Sequence, residues 1–236
     1  MSQPEESDLP AAKRARKSED VPADGPRVVA VLGLGNPDGC GRRERHSLGA
    51  RVVAALLDKT QLEQEAVQSE CSDLQSAKWL KCDAFQALFI QPQRPINDNG
   101  PQLYSALTNL NQLAAPFLAI VDDCWLPLGT IRFREKGSSG GHKGLEGIES
   151  TFACNQNYHR LRLGIGGKNL KEFVTGSFSD DEEMILKPVL IAAVRAVEAW
   201  LHMGPEAAQK IMSVVNAKSF VKDPVFPSVP VLKASG

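Results

Sequence analysis

A run of apolar residues that ends in glycine constrains the fold of this 236-residue chain more than any other feature. Residues 27–35 are RVVAVLGLG, in which Val28 to Leu32 are all apolar. A continuous apolar run of this kind is typical of a strand that is buried on both faces of a sheet. The apolar residues of 47–59 then recur at helical spacing, which predicts a helix with Ser47 as its N-cap.

Strand-like and helix-like segments alternate along the rest of the chain. The SDDE sequence at 179–182 is a capping box that opens a long helix, and Pro188 is expected to kink that helix or delay its start. The alternation predicts a single α/β domain built on a mixed sheet. The predicted strands are 79–85, 87–92, 116–123, 129–135 and 158–166, and the predicted helices are 100–113, 143–153 and 179–203.

The two ends of the chain differ in composition from its middle. Residues 1–26 contain four prolines and few large aliphatic side chains, so we expect a disordered N-terminal tail. The basic cluster at 13–17 within this tail is either a nuclear-import signal or a solvated run of charges. The folded domain is expected to span 27–215, and the proline-rich residues 216–236 are expected to form a C-terminal tail.

Composition excludes several classes of protein. A net charge of −1 excludes a uniformly basic nucleic-acid binder, although it allows a local basic patch. No stretch approaches 18 consecutive apolar residues, so no membrane span is expected, and the acidic N-terminus resembles neither a secretory signal nor a mitochondrial presequence. Five scattered cysteines indicate free thiols in a reducing compartment and argue against structural zinc. We therefore expect a cytoplasmic protein, with the nucleus as the alternative.

Two glycine-rich loops each suggest a different chemistry. The loop at 33–38 follows the first strand as a dinucleotide-binding loop would, but Asp38 replaces the third glycine and Pro37 removes a backbone donor. The segment 137–141 matches the G-x-S-x-G pattern of a nucleophilic serine around Ser139. Polar residues rather than an apolar strand end precede that segment, so a flexible loop is the favoured interpretation.

Four longer blocks occur in a fixed order along the chain. They are GLGNPDGCGRRERHSLG (33–49), QRPINDNG (93–100), VDDCWLPLGTIRFREKGSSGGHKGLEGI (121–148) and FACNQNYHRLRLGIGGKN (152–169). Together they resemble the bacterial-type peptidyl-tRNA hydrolase family over about residues 27–203. The resemblance implies that family's fold, a twisted mixed sheet flanked by helices on both faces. It also implies a monomeric enzyme that hydrolyses the ester between peptide and tRNA without a metal or cofactor.

The resemblance also implies a catalytic pair. His46 matches the family's catalytic histidine, ten residues after the asparagine of GLGNP, and Asp122 matches the family's aspartate at a strand end. A neutral imidazole can accept a proton from water near neutral pH. A carboxylate beside it can hold the ring in the tautomer that leaves the other nitrogen free.

Two asparagines and one apolar residue match positions that contact the substrate in the family. Asn36 and Asn97 correspond to two of three active-site asparagines, whose amides can both donate and accept hydrogen bonds. Ile96 replaces the family's methionine and would supply an apolar wall. Taken without the resemblance, both asparagines are also ordinary turn residues.

Lys143 stands where the family has its third asparagine, because this chain has GHKG where GHNG is expected. A lysine offers donors and a charge but no acceptor. It could stabilise an oxyanion, replace the amide that orders water, or pair with Asp122 and disable His46. This change leaves open a second hypothesis, a catalytically weakened homologue that binds RNA or tRNA. Further departures from the family are Asp38, Gly41, Ser47 and Trp125.

Arginines alternate along two of the predicted strands. Arg132 and Arg134 should share one face of their strand, and Arg160 and Arg162 should share one face of theirs. Arg134 and Arg162 match the basic pair that binds the tRNA 5′ phosphate in the family, and Arg132 would extend that surface. The alternative is a solvated strand face with surface ion pairs.

Overall fold

The computed structural model describes residues 27–41, 43–60, 64–81, 85–153, 156–167 and 171–217. Within these residues, seven strands form one sheet that helices cover. The strands are β1 (Arg27–Gly33), β2 (Gln64–Ala66), β3 (Lys78–Lys81), β4 (Phe85–Ile90), β5 (Phe117–Asp123), β6 (Ile131–Arg134) and β7 (His159–Gly164). The helices are α1 (Leu48–Lys59), α2 (Asn99–Asn109), α3 (Lys143–Phe152), α4 (Lys171–Val174), α5 (Asp180–Met203) and α6 (Ala208–Asn216).

The sheet has the strand order β2-β3-β4-β1-β5-β7-β6. The four central strands β4, β1, β5 and β7 are parallel, whereas β2, β3 and β6 each run antiparallel to a neighbour. The mixed sheet predicted from the sequence is therefore confirmed. Because the carboxyl ends of the parallel strands meet at one edge, the loops that follow them lie side by side.

The first strand is buried on both faces, as its composition predicts. Val29 and Val31 pack in one apolar cluster with residues of α1, α5 and α6. Ala30 and Leu32 pack in a second cluster with residues of α2 and α3. Alternate side chains of one strand thus enter two cores, which accounts for helices on both faces of the sheet.

Close contact at Gly49 fixes the start of α1 against the sheet. A Cβ atom at Gly49 would lie 2.0 Å from the carbonyl oxygen of Ile120 in β5. The Leu34 N–H donates to that same oxygen at 2.9 Å, and the Ala50 N–H donates to the Leu34 carbonyl at 3.0 Å. The turn before α1, which carries His46, is consequently held beside the carboxyl end of β5.

The predicted helices occur, with differences at their ends. The capping box that opens α5 is confirmed, since Ser179 accepts from the Glu182 N–H and the Glu182 side chain accepts from the Ser179 N–H. Pro188 lies inside α5 and does not delay its start. The helix predicted over 100–113 ends at Asn109.

Two features of the described chain differ from the sequence prediction. The segment 79–85, predicted as one strand, contributes to both β3 and β4, which pair antiparallel. Helix α6 was not predicted, although Ala208, Ile211 and Val215 form a buried stripe at helical spacing. The Asn216 amide at its end accepts from the backbone N–H of Phe133 and donates to the Phe133 carbonyl, which attaches α6 to β6.

Some sequence predictions fall outside the described residues. These include the disordered tail over 1–26 with its basic cluster at 13–17, and residues 218–236 of the predicted C-terminal tail. Three cysteines within the described residues, Cys40, Cys71 and Cys124, are free thiols. Among the described helices, none combines the length and the hydropathy needed to cross a bilayer.

Candidate active site

Polar contacts hold the loop between β1 and α1 in shape. The Asn36 N–H donates to the Ser47 hydroxyl at 3.0 Å. The Ser47 side chain therefore does not cap α1, contrary to the prediction. Gly39 approaches the same hydroxyl so closely that a Cβ there would lie 1.8 Å from it. The resulting turn presents His46, which is 8% exposed.

His46 meets the buried carboxylate of Asp122 at the end of β5. Its Nδ1 atom lies 3.1 Å from both Oδ1 and Oδ2 of Asp122. With Nδ1 donating to the carboxylate, Nε2 carries the free lone pair. Nε2 makes no hydrogen bond to any residue that the structure describes, so it is available to a substrate or a water.

The electrostatics of this pair favour the charged forms of both groups. Burial lowers the pKa of His46, but the hydrogen bond and negative charge of Asp122, with a contribution from Glu44, raise it above its ordinary value overall. Burial raises the pKa of Asp122, yet the two histidines beside it hold that pKa well below its usual range. Asp122 is thus an anion at neutral pH.

A second histidine also binds Asp122. The Nε2 atom of His142 lies 3.1 Å from Oδ1 of Asp122. His142 is the N-cap of α3, and its Nδ1 accepts from the Leu145 N–H at 3.3 Å. Because Nδ1 is the acceptor, Nε2 carries the proton and donates to Asp122.

No role is predicted for His142 from the sequence. Its signal was present, since a polar residue directly before a predicted helix is a capping candidate. What the sequence could not show is that His142 reaches Asp122, 20 residues away in the chain, at the same time as it caps α3.

The same three side chains have the composition of a metal site. One ligand atom each of His46, Asp122 and His142 lies within 4.8 Å of the others. Both histidine nitrogens that face the carboxylate are already used as hydrogen-bond donors to it in the tautomers given above. A ring nitrogen that carries a proton has no lone pair with which to bind a metal ion. The donor set therefore fits a hydrogen-bonded network better than a resident metal.

Asn36 faces the protein rather than open solvent. Its Oδ1 accepts from the Ile96 N–H at 3.0 Å, and its Nδ2 donates to Glu44 at 2.7 Å. Both ends of the amide that was expected to contact substrate are thus engaged within the protein. In this arrangement Asn36 joins the loop after β1 to the turn after β4, where Ile96 is buried.

The two asparagines of the NDNG sequence occupy different environments. Asn97 is exposed, and its side chain makes no hydrogen bond to the described residues. Asn99 is buried, accepts from the Gly35 N–H at 2.9 Å and donates to the carbonyls of Arg94 and Pro95. Asn99, for which the sequence predicts no role, fixes the glycine loop against the start of α2.

Lys143 is the first residue of α3 and points into solvent. Its side chain is 65% exposed, and its ammonium lies 2.8 Å from Glu146 one turn along the helix. It does not pair with Asp122, whose carboxylate faces the two histidines. Of the three roles considered for Lys143, the one that would disable His46 is therefore excluded by the contacts.

The arginines of β6 and β7 lie on one face, as the alternation predicts. Arg132 is paired with Arg162 across the two strands, and Arg134 with Arg160. Arg162 forms an ion pair with Asp123 at the end of β5. Arg132 and Arg134 are partly exposed, and their hydrogen bonds to described residues go only to carbonyls of their own strand.

Arg160 differs from the other three arginines because it is buried. Its guanidinium lies 4.0 Å from the centre of the Tyr158 ring and donates to the carbonyls of Gly137, Ser138 and Gln156. This side chain holds the glycine-rich loop after β6 in place. It is not part of the solvent-facing basic surface.

A small cavity is lined by His46, Asp122 and one arginine of β7, Arg162. Its volume of about 30 Å³ exceeds the roughly 10–15 Å³ that one water molecule requires. Its lining includes His46, Asp122, His142, Trp125 and Arg162. A water in this cavity would lie beside His46 and Asp122.

The two glycine loops lack the geometry that dinucleotide binding and a nucleophilic serine require. A dinucleotide loop must open a helix, but the helix after β1 begins only at Leu48, well past the loop at 33–38. Ser139 lies in an irregular loop several residues after β6, not at a sharp turn between a strand and a helix.

Comparison with known proteins identifies the family of this chain. The sequence model of one family, described as peptidyl-tRNA hydrolase, matches residues 30–222. This chain belongs to the peptidyl-tRNA hydrolase family. Among its curated relatives is the peptidyl-tRNA hydrolase of Aquifex aeolicus, 32% identical over 78% of this chain and 95% of the relative. The peptidyl-tRNA hydrolase of Methylacidiphilum infernorum is 34% identical over 78% of this chain and 96% of the relative.

Solved structures of the family share the fold. A crystal structure of a single-residue variant of Acinetobacter baumannii peptidyl-tRNA hydrolase matches with a TM-score of 0.69 and 25% identity, covering 85% of this chain and 98% of that one. The single α/β domain with the peptidyl-tRNA hydrolase fold, predicted from the four sequence blocks, is therefore confirmed.

Two of the departures from the peptidyl-tRNA hydrolase pattern lie on the solvent side of the site. Lys143 is exposed at the start of α3, and Trp125 is 68% exposed after β5. Neither displaces His46 from Asp122. These two departures therefore leave the contact between His46 and Asp122 in place.

Proposed function

We propose that this protein hydrolyses the ester bond between the peptide and the tRNA of peptidyl-tRNA, with His46 as general base and Asp122 as its orienting carboxylate. The observation that carries the proposal is the 3.1 Å contact between Nδ1 of His46 and Asp122, which in the neutral imidazole leaves Nε2 as the proton acceptor, together with the water-sized cavity that His46 lines. Membership of the peptidyl-tRNA hydrolase family supports the choice of substrate.

The proposed reaction follows from the tautomer in which Nδ1 of His46 donates to Asp122 and Nε2 is free. Nε2 of His46 takes a proton as the water oxygen attacks the carbonyl carbon of the ester. Asp122 stabilises the imidazolium that forms. When the tetrahedral intermediate collapses, the bond to the ribose oxygen breaks and that oxygen takes the proton from His46. The products are the free peptide and tRNA with a free 3′ end.

Some residues of the site are proposed to contact the substrate, and Asn36 is proposed to position those residues. We propose that Asn97 binds the peptide, because its amide is exposed and has no partner among the described residues. Asn36 positions the turn that carries Asn97 and Ile96, through its hydrogen bond to the Ile96 N–H. Ile96 supplies an apolar wall, and Lys143 offers a positive charge to the oxyanion or to the substrate.

The basic face of β6 and β7 is the proposed contact with tRNA. Arg132 and Arg134 are the available cations there, and Arg162 stands beside them with its charge partly balanced by Asp123. Arginine suits phosphate because its planar fork makes two charge-assisted hydrogen bonds. Since the chain carries a net charge of −1, binding depends on this local surface.

We further propose that the enzyme acts as a monomer, without a metal, in the cytoplasm. The hydrogen-bonded network at Asp122 supports metal-free hydrolysis, because each of its donors is already satisfied. Deletion of residues 10–20 from a fluorescently tagged chain would reveal any contribution of the basic cluster to nuclear import.

The experiment that tests the function measures the products directly. The protein is incubated with N-acetyl-aminoacyl-tRNA, and the free N-acetyl amino acid and intact tRNA are quantified. The parent protein should release both in equal amounts, and Asp122→Asn should release little. Exposed His202 provides a matched control for histidine substitutions, because His202→Ala should match the parent. Failure of the parent to release the amino acid would refute the proposed activity.

A further inference from the structure

An exposed tryptophan stands at the edge of the candidate active site. Trp125 follows β5, three residues after Asp122, and is 68% exposed, more than any other large apolar side chain in the described part of the protein. The family pattern has an acidic residue at this position. Aromatic side chains are enriched at binding surfaces relative to the rest of a protein's surface.

Two hydrogen bonds fix the tryptophan in place. Its backbone N–H donates to Oδ1 of Asp123 at 2.8 Å, and its indole N–H donates to the Gly140 carbonyl at 3.3 Å. The ring therefore bridges the end of β5 and the glycine-rich loop that Arg160 holds. A ring fixed by its edge keeps its faces free for stacking, with little conformational entropy to lose on binding.

The contacts of Trp125 place this ring toward the arginine strands, the proposed tRNA side of the site. The turns after β4 and β1, which carry Asn97 and Asn36, lie on one side of β5, and the arginine strands β7 and β6 lie on the other. Trp125 contacts the loop that follows β6 and lines the cavity together with Arg162. Asp123, which holds the Trp125 backbone, also pairs with Arg162.

We infer that Trp125 is a stacking platform for the terminal adenine at the single-stranded 3′ end of the tRNA. The inference rests on the proposed function. Unpaired bases are commonly bound by stacking on exposed aromatic rings beside cationic side chains. The scissile ester is joined to the ribose of that same nucleotide, so its base must lie close to His46 on the tRNA side. Stacking there would hold the ester over the general base.

Binding measurements with two forms of one tRNA test the inference without requiring turnover. Uncharged tRNA with its complete CCA end is compared with the same tRNA from which the 3′ adenosine has been removed. Trp125→Leu should weaken binding of the complete tRNA by about tenfold, within the range known for loss of one stacked base. The variant should bind the shortened tRNA as the parent does, and Trp125→Phe should retain most of the affinity for the complete tRNA.

Tryptophan emission gives a second readout. The complete tRNA should quench the emission of the parent more than the shortened tRNA does, and the difference should vanish in Trp125→Phe, which retains the other two tryptophans. Equal loss of affinity for both tRNAs in Trp125→Leu, or no loss for either, would overturn the inference. A loss of affinity in Trp125→Leu that appears only for tRNA carrying a peptide would also overturn it, because the ring would then contact the peptide. Release of N-acetyl amino acid by the parent tests the proposed function separately.

Discussion

Nε2 of His142 lies 3.1 Å from the Asp122 carboxylate that also binds His46. Asp122 is 2% exposed, so water cannot replace either donor at low cost. His142 does not carry the free nitrogen, and its own Nδ1 is used to cap α3. Its contacts therefore position Asp122, and any effect of His142 on the proposed reaction is expected to pass through that carboxylate.

Substitutions of His142 should separate its two contacts. His142→Ala removes the cap of α3, which should cost about 1 kcal/mol of folding free energy. It also removes one hydrogen bond to a charged carboxylate, which should lower kcat by about tenfold. His142→Asn keeps a capping side chain but is too short to replace the imidazole at Asp122. It should restore the melting temperature and leave kcat low. Recovery of kcat together with stability would show that His142 serves only the helix.

The pH dependence of kcat/KM should report the contact between His46 and Asp122. Burial lowers the pKa of His46, but the charge and hydrogen bond of Asp122 raise it above the ordinary value overall. Only the neutral imidazole can act as base, so kcat/KM should fall as the pH drops through that raised pKa. In Asp122→Asn the pKa of His46 should decrease, which moves this fall to lower pH, and the plateau should drop by about 10³–10⁴-fold. An unmoved acid limb in the variant would mean that another group controls the profile.

Charge reversal at Arg134 should weaken tRNA binding without slowing the chemical step. Arg134 is the better target than Arg162, whose ion pair with Asp123 would be broken by substitution. For Arg134→Glu we expect a higher KM, an unchanged kcat and a salt dependence of log Kd that is shallower by about one unit. The matched control is Arg195→Glu on the exposed face of α5. Equal effects of the two variants would indicate a response to net charge rather than to this surface.

Lys143→Asn tests whether the family's asparagine supports a higher kcat than lysine at the start of α3. Lys143 forms an exposed ion pair with Glu146, which is worth little to stability, so the folding free energy should change by less than about 0.5 kcal/mol. An amide can order water with both a donor and an acceptor, and one such hydrogen bond should raise kcat by about two- to tenfold. Lys143→Ala is the control, since it removes the charge without adding an amide. A fall in kcat for both variants would instead assign a catalytic use to the ammonium.

Removal of metal ions should leave turnover intact. His46, Asp122 and His142 are close enough to hold an ion, but their hydrogen bonds already satisfy the carboxylate. Protein dialysed against EDTA should therefore hydrolyse N-acetyl-aminoacyl-tRNA at the rate of the untreated protein. Tight binding of added Zn²⁺ should inhibit, because an ion on Nδ1 of His46 would displace the hydrogen bond to Asp122. Loss of activity on dialysis, with recovery on adding a metal, would contradict the metal-free mechanism.

Local patterns in the sequence were sufficient to predict much of the fold. The apolar run of β1 and the capping box at Ser179 each depend on residues a few positions apart, and both are confirmed. The proximity of His46 and Asp122 was expected only through the family resemblance. The spacing of those residues alone carries no information on a contact across 76 residues.

The features that the sequence did not predict depend on how separate segments meet. Alternation places Arg160 and Arg162 on one face, but only the loop over Arg160 explains why one is buried and the other is not. Likewise, the inward direction of the Asn36 amide follows from the Ile96 turn, which is 60 residues away. Composition indicates what such side chains can bind, whereas tertiary contacts decide what they do bind.

The central claim, that His46 activates water, is tested most directly by kcat/KM for N-acetyl-aminoacyl-tRNA measured with His46→Ala and with the parent, with His202→Ala as control. We predict a decrease of at least about 10³-fold, comparable to the loss of a base in other hydrolytic triads. The dissociation constant for uncharged tRNA should stay unchanged. A His46→Ala variant that hydrolyses the substrate within tenfold of the parent rate would contradict the account.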